Sequence, residues 1–469
     1  MISNPDLDEI QGIIISGYSH LPYSAYLFGV FGDQSRAKEW LTQITPQITT
    51  ALWKQDPQGN AIKPPQGINI GLTSSGLSAL GLTSTELKTF PQELVDGMSD
   101  PVRSRKMGDT GASGPEHWDF GGELKIDLLV IVQASSPEAL LALTSEYRSR
   151  MGEFDICIAR AEEGVRLPNQ KEHFGFLDGI SDPHIEGAPT GRTVPKESVK
   201  AGEFILGYTN EYGILPPSPA LNSGAKIDDI GKNGSFMVFR KLKQDVFAFR
   251  EYFRLASENP EEEEFFIAKA VGRWKSGAPL VLSPVSSNSP ASNDFGYAST
   301  DAHGLRCPIG AHIRRANPRD ALNNSPEDSL AVVSRHRLLR RGALYGPRLA
   351  EEASANDGED RGILFICIVA DIRRQFEFVQ QSWINNPKFG GLFNDPDPIL
   401  GNPKDGDEAN LTIQRRPVRK RLKNLPRFVT TKGGAYLFLP SISALKSLAA
   451  LQSQDSGISP EESSLDGQK

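Results

Sequence analysis

Cysteine is scarce: Cys157, Cys307 and Cys367 are the three in 469 residues. They are dispersed and odd in number, which excludes a disulfide framework and suits a reducing compartment. Long hydrophobic runs are missing too. The longest, Ile363 to Ala370, has eight residues, far below the roughly 20 needed to cross a bilayer, so neither a transmembrane helix nor a membrane partner is expected. Positive charge is not in excess. With 58 acidic side chains against 51 basic ones the net charge is −7, which removes any general attraction to nucleic acid. The opening MISNPDLDEI has no basic segment followed by an apolar one, so no secretory signal is expected and a cytoplasmic location is. What remains is small-molecule chemistry in a chain long enough for two or three domains at roughly 150 residues each.

Glycine and proline are plentiful, at 44 and 33 residues, so long ordered loops should link the regular elements. One pattern recurs between them: a short apolar run, a capping residue, then a helical stripe. AYLFGVF (25–31) precedes Ser35 as cap and Ala37, Trp40, Leu41 and Ile44 at helical spacing. IDLLVIVQA (126–134) precedes Ser136, Pro137 and a stripe of Leu140, Leu143 and Tyr147. SFMVFRKL (235–242) precedes Asp245 with Val246, Phe249 and Phe253, and ILFICIVA (363–370) precedes Asp371 with Ile372, Phe376, Val379 and Trp383. Each is a strand feeding a helix. With GINIGLT (67–73) and FDICIAR (154–160) the first half becomes β-α-β-β-α-β, and GAYLFLP (434–440) closes the second half similarly. No glycine-rich phosphate turn follows any of these strands, which argues against a doubly wound parallel sheet. The predicted fold is α+β, in two related ferredoxin-like halves with antiparallel sheets. The boundary is placed between Pro216 and Gly234, giving halves at 1–225 and 226–451. Residues 452–469 have no aromatics and are expected to be disordered.

Two segments concentrate reactive side chains. In KEHFGFLDGISDPHIEG (171–187), Gly175 and Gly179 bracket Asp178 and let the backbone turn sharply around that carboxylate. Such an aspartate is most often only a turn former. His173, Asp178, Asp182 and His184 also read as hard-metal ligands, although their spacing fits no familiar metal loop. In GLRCPIGAHIRRANPRD (304–320), His312 stands among Arg306, Arg314, Arg315 and Arg319. Nearby cations disfavour its protonation, and neutral imidazole is what a metal requires; the arginines suit an anionic group beside it. Downstream, Arg340 and Arg341 precede a glycine turn, and Asp397 lies in LFNDPDPILG (392–401).

GFLDG (175–179), CPIGAHIRRANPR (307–319), LLRRGALYG (338–346) and DPILG (397–401), in this order, resemble the dye-decolorizing peroxidases. NIGLTSSGLSALGL (69–82) and GAYLFLPS (434–441) extend the resemblance over nearly the whole chain. It implies a dimeric α+β barrel-like arrangement of the two halves, with a haem pocket between the sheet and the helices of the second. His312 then resembles the proximal ligand to haem iron and Asp397 the carboxylate holding its other ring nitrogen. Asp178 resembles the distal acid–base residue and Arg340 the distal arginine, a register favoured over Arg341 by the Tyr-Gly that follows. His173 and Arg319 resemble haem-propionate contacts, and Ile363 and Phe365 wall the distal pocket. The implied cofactor is one noncovalent haem b per chain, since no C-x-x-C-H sequence is present. The implied partners are hydrogen peroxide and aromatic reducing substrates, with oligomeric state open.

Bulky dyes are not expected to enter a pocket sized for peroxide, so surface aromatics are a route for electrons, with Trp383 and Tyr345 as candidates because each lies near a motif; ordinary packing is the commoner role for both, and Trp383 also fits a helical core stripe. The competing function is a haem-handling protein with incidental peroxidase activity; Asp178 together with Arg340 argues for the enzyme. The basic stretch QRRPVRKRLKNLPR (414–427) has seven cations in fourteen residues, but its prolines and the acidity of the chain favour a solvated loop over a nucleic-acid or membrane site.

Overall fold

The computed structural model describes residues 4–189, 198–222, 227–323, 325–402 and 409–451. The tail from 452, expected to be disordered, lies outside the described residues. Among them nine strands form one sheet: β1 (Tyr23–Phe31), β2 (Gln66–Leu72), β3 (Leu128–Ala134), β4 (Ile156–Val165), β5 (Ser235–Gln244), β6 (Leu339–Arg340), β7 (Ala343–Tyr345), β8 (Gly362–Val369) and β9 (Val429–Leu439). The first four lie antiparallel in the order β4-β1-β3-β2. The rest repeat it as β9-β5-β8, with β6 and β7 together replacing the second strand. Both halves are therefore ferredoxin-like. One residue pair at each seam, Leu344 with Val165 and Phe438 with Leu72, joins their edges, so the sheet closes into a barrel and leaves no long edge unpaired.

The helices follow the caps. α1 (Gln34–Ile44) buries Ala37, Trp40, Leu41 and Ile44, but its cap is Asp33, not Ser35: the Asp33 carboxylate accepts the Arg36 N–H. α2 (Pro137–Glu153) is capped by Ser136 and α3 (Val246–Ala256) by Asp245, as the sequence predicts. α4 (Pro260–Val271) and the short α5 (His312–Ala316) follow. After β8 the predicted helix is wound as π-helix over Arg373–Glu377 and Val379–Ile384. The wider turn widens the inward face, so Phe376, Val379, Gln380 and Ile384 all reach one cavity.

Strand alternation divides the residues of β5 between two environments. Met237 and Phe239 point into the barrel, where Phe239 meets Phe28 and Phe120 with ring centroids 5.2 and 5.6 Å apart. Arg240, Leu242 and Gln244 point outward, beneath the helices, and there the packing opens into a cavity.

Candidate active site

The cavity, of about 290 Å³, lies between the outer face of β5 and β8, the helical segments α5 and 373–384, and the loop 172–181. That is far more than the roughly 10–15 Å³ one water needs. Ile363 and Phe365 occupy alternate positions of β8 and line it, whereas Leu364 and Ile366 between and beyond them are fully buried in the barrel. Its walls are mainly apolar, with charged and polar side chains set among them, the composition of a ligand site.

α5 presents His312, Ile313 and Ala316 to the cavity, at i, i+1 and i+4. His312 Nδ1 is 2.9 Å from Asp397 Oδ2. The other oxygen of Asp397 accepts the N–H groups of Ile399 and Leu400 at 2.9 and 2.8 Å, which locks the carboxylate at the start of the turn that follows it. Burial alone would raise the Asp397 pKa, but His312, by charge and hydrogen bond, and then Arg315 hold it low. Burial pulls His312 the other way, and the Asp397 charge and hydrogen bond outweigh it, so the imidazole gains basicity. With Nδ1 held by Asp397, Nε2 is the ring nitrogen left for a ligand in the cavity.

Gly175 and Gly179 both have positive φ, at 97° and 76°, which is why the loop can double back around Asp178. The Asp178 Oδ1 accepts Arg340 Nη1 at 2.8 Å and the Gly179 N–H at 2.7 Å. Arg340 Nε also donates to Asp182 at 3.3 Å. The Asp178 and Arg340 side chains are 52% and 33% accessible, yet both line the cavity and are densely surrounded by protein, so their exposure is to that internal space. The Arg340 charge outweighs burial and holds Asp178 below the ordinary carboxylate range, and Asp178 in turn raises Arg340. His312 is close enough for its charge to act on Asp178. The neighbouring Arg341 points away and donates to the carbonyls of Ile13, Ile14 and Ile15.

No protein-family model matches the chain. A dye-decolorizing peroxidase of Mycena epipterygia is 31% identical over 95% of this chain and 87% of its own length. The chain belongs to the dye-decolorizing peroxidase family. A multifunctional dye peroxidase of Amycolatopsis is 29% identical over 94% of this chain and 96% of its own. A solved dye-decolorizing peroxidase in complex with 2,6-dimethoxyphenol superposes with a TM-score of 0.78 at 30% identity, covering 95% of this chain and all of that one. This protein is accordingly a haem peroxidase acting on dyes, with hydrogen peroxide and reducing substrates as its reactants.

The cavity of this peroxidase suits a haem on its own chemistry. Apolar walls cover a porphyrin, and His312 offers Nε2. His173 does not itself line the cavity, though Glu172 and Phe174 on either side of it do; its Nε2 is bonded to the Tyr345 carbonyl at 2.9 Å, and its Nδ1 is buried without a partner among the described residues. Four arginines line the space; Arg340 is there as expected, but none of the four comes from the cluster around His312 in the sequence. Arg306, Arg314, Arg315 and Arg319 do not line the cavity and face protein instead: Arg314 is bonded to Asp301, and Arg315 to main-chain carbonyls of Gly310, Trp383 and Asn386. Arg306 donates to the Val281 carbonyl. Arg319 is directed at Asn293 and at the Phe295 carbonyl, with its guanidinium 4.0 Å from the Phe295 ring centre, so it braces the 293–295 segment and does not line the cavity. The lining cations are Arg240, Arg273, Arg337 and Arg340. Sequence reasoning passed over Arg240 and Gln244; their alternation with barrel-facing residues on β5 is the signal that marks them.

Two further expectations change. Trp383 is not a surface aromatic but 4% exposed, packed edge-on against His336 and Phe378 at 5.3 and 5.5 Å. Tyr345 is likewise buried, its hydroxyl 3.2 Å from Asp360 and its ring under Lys241 Nζ at 4.8 Å. Among the described residues no three metal-ligating side chains converge, which removes His173, Asp178, Asp182 and His184 as a hard-metal site. The basic stretch 414–427 contributes a strand, Lys420–Leu422, paired with Leu411–Ile413, and Arg421 meets the Asp395 carboxylate at 3.1 Å. No helix among the described residues is long and apolar enough to cross a membrane.

Proposed function

We propose that His312 ligates haem iron through Nε2, with Asp397 as acceptor of the Nδ1 proton, and that Asp178 and Arg340 handle the peroxide. One observation carries this reading: His312, held from behind by Asp397, and the Asp178–Arg340 pair line a single cavity. The bound haem supplies the one-electron and oxygen chemistry. With haem held there, Asp178, ionised at neutral pH, would take a proton from hydrogen peroxide and return it to the leaving oxygen. Arg340 keeps its proton and offsets the negative charge that develops as the O–O bond breaks. Ile363 and Phe365 keep bulk water from that space, and His173, between the lining residues Glu172 and Phe174, would offer its unpartnered Nδ1 to a propionate. The halves at 1–225 and 226–451 divide the work, the first bringing Asp178 and the second the remaining groups.

The haem is of b type, noncovalent, and one per chain. Purified protein is expected to show a Soret band that shifts on adding hydrogen peroxide, and acid–butanone extraction should release one haem for each chain. Haem that stays with the polypeptide, or no Soret band in haem-supplied protein, would overturn the assignment.

Aromatic and phenolic donors are oxidised by single electrons, and bulky dyes deliver theirs from outside the cavity. Trp383 is the candidate relay, through the half-buried His336–Phe378 stack, whose centroids are 4.2 Å apart; Tyr345 is the second. Trp383→Phe and Tyr345→Phe are each expected to lower turnover of a bulky anthraquinone dye while leaving the reaction with peroxide unchanged. Unaltered dye turnover in both would end the relay reading.

A further inference from the structure

Only two of the ten tyrosines donate to a carboxylate among the described residues: Tyr345, to the half-exposed Asp360, and Tyr436, to Glu377. Tyr436 is on β9 and 2% exposed, with its hydroxyl 3.0 Å from Glu377 Oε1. A single ring separates it from the cavity: Tyr436 lies 6.2 Å from Phe376, and Phe376 6.3 Å from Phe365, both of which line the space assigned to the haem. None of the roles described so far uses this tyrosine or its acceptor.

Behind Glu377 the polar contacts continue to the surface. Arg103 Nη1 holds both Glu377 oxygens at 3.0 and 3.1 Å and reaches Glu93 at 3.3 Å. Its Nη2 meets Asp96 at 2.7 Å, and Glu93 also accepts Arg373 Nε at 2.6 Å, on a side chain that is 70% exposed. Three carboxylates thus share two arginines. If Glu377 became neutral, Arg103 would still be countered by Glu93 and Asp96, so no buried cation would be stranded. Burial also raises the proton affinity of Glu377 against the pull of Arg103. The other charged pair near the phenol, Arg240 with Asp109, is joined through Thr431, and the Arg240 guanidinium lies 5.8 Å from the Phe376 ring centre.

We propose that Tyr436 is an internal one-electron donor to the peroxide-oxidised haem when no external donor is present, with Glu377 as its proton acceptor. The phenol loses one electron to the haem, and its O–H bond breaks as an O–H bond forms on Glu377. The products are a neutral phenoxyl radical and a neutral carboxylic acid, and the haem is left one electron more reduced. Transfer of the proton is what makes the step feasible in a buried site, since an oxidised phenol that kept its proton would be an unpaired cation in a poorly solvated interior. Tyr345 is a weaker candidate because the Lys241 ammonium over its ring already opposes removal of an electron.

The inference rests on haem occupying the cavity, and the experiment separates the two. Haem-loaded Tyr345→Phe and Tyr345→Phe/Tyr436→Phe proteins are mixed with equimolar peroxide without donor, frozen, and compared by electron paramagnetic resonance. A tyrosyl signal is expected in the first and its loss in the second, with equal Soret absorbance and an equal Soret response to peroxide. Glu377→Gln keeps a hydrogen-bond acceptor but cannot take a proton at that strength, so it should also lose the signal. The proposal is overturned by an unchanged signal in the double variant, or by no tyrosyl signal in Tyr345→Phe protein whose haem still responds to peroxide. A wild-type Soret band indifferent to peroxide would overturn the haem assignment itself, and the inference with it.

Discussion

Asp178→Asn is expected to slow the reaction with hydrogen peroxide by about 10²- to 10⁴-fold, the loss typical of a positioned acid–base group. Asparagine preserves the volume and a hydrogen bond to Arg340, so the fall reports proton transfer, not packing. Arg340→Leu should cost about 10²- to 10³-fold, as removal of a preorganised donor to developing charge does, and it should also change the pH profile in a defined sense. Arg340 holds the Asp178 pKa below its ordinary 3.8, so the base form of the wild type persists into acid and its rate falls only where Asp178 is protonated. Without the guanidinium the pKa rises, and the acid limb moves to higher pH. Arg340→Lys keeps a positive charge near the carboxylate but not the fork that reaches both Asp178 and Asp182, so its limb should lie between the two. Stopped-flow rates of the haem-loaded variants across acid pH check this. An acid limb that stays in place in Arg340→Leu would remove Asp178 as the titrating base.

The same two residues show what sequence can and cannot reveal. Asp178 is visible because a carboxylate between two glycines with positive φ is a backbone feature written in residue types. Arg340 is favoured over Arg341 in the sequence only by the Tyr-Gly that follows, and the fold supplies the physical reason: β6 ends at Arg340, which faces the cavity, and the next residue turns to the carbonyls of Ile13, Ile14 and Ile15. Caps at Ser136 and Asp245 and the buried stripes behind them are local, and they are found where the spacing put them. Barrel closure is not local, because it depends on single pairings, Leu344 with Val165 and Phe438 with Leu72, that join segments far apart in the chain. The arginines around His312 misled for a related reason. A cluster in sequence reads as a cluster of charge, whereas in the fold Arg314 is taken up by Asp301 and Arg315 by main-chain carbonyls, and neither lines the cavity that His312 enters. Trp383 fits a helical stripe in the sequence, and that reading, a buried side chain, describes its position better than a surface relay does.

Asp397→Asn should weaken haem retention or activity by about 10- to 100-fold, the usual effect of changing the partner of a ligating histidine. The reason is directional. Asp397 accepts on both sides, from His312 Nδ1 and from the Ile399 and Leu400 N–H groups. An asparagine has one carbonyl oxygen, and if that oxygen stays with the two backbone donors, its NH₂ group faces Nδ1. Nδ1 must then be the acceptor, the imidazole proton moves to Nε2, and the nitrogen needed for iron is blocked. If the amide instead turns its oxygen to His312, the two backbone donors face an NH₂ group and lose their acceptor, at about 1–3 kcal/mol for a buried unsatisfied group. Either orientation leaves a measurable defect, but a different one: the first lowers haem affinity in a chain of normal stability, the second lowers the denaturation midpoint of the haem-free chain. Asp397→Ala should show both losses together, because it removes the acceptor from all three donors. Haem transfer to an apo-myoglobin trap, run beside urea unfolding, separates them. Wild-type haem affinity and stability in Asp397→Asn would mean that His312 is not held as its iron-binding tautomer by this carboxylate, and the assignment of His312 as axial ligand would lose its principal support.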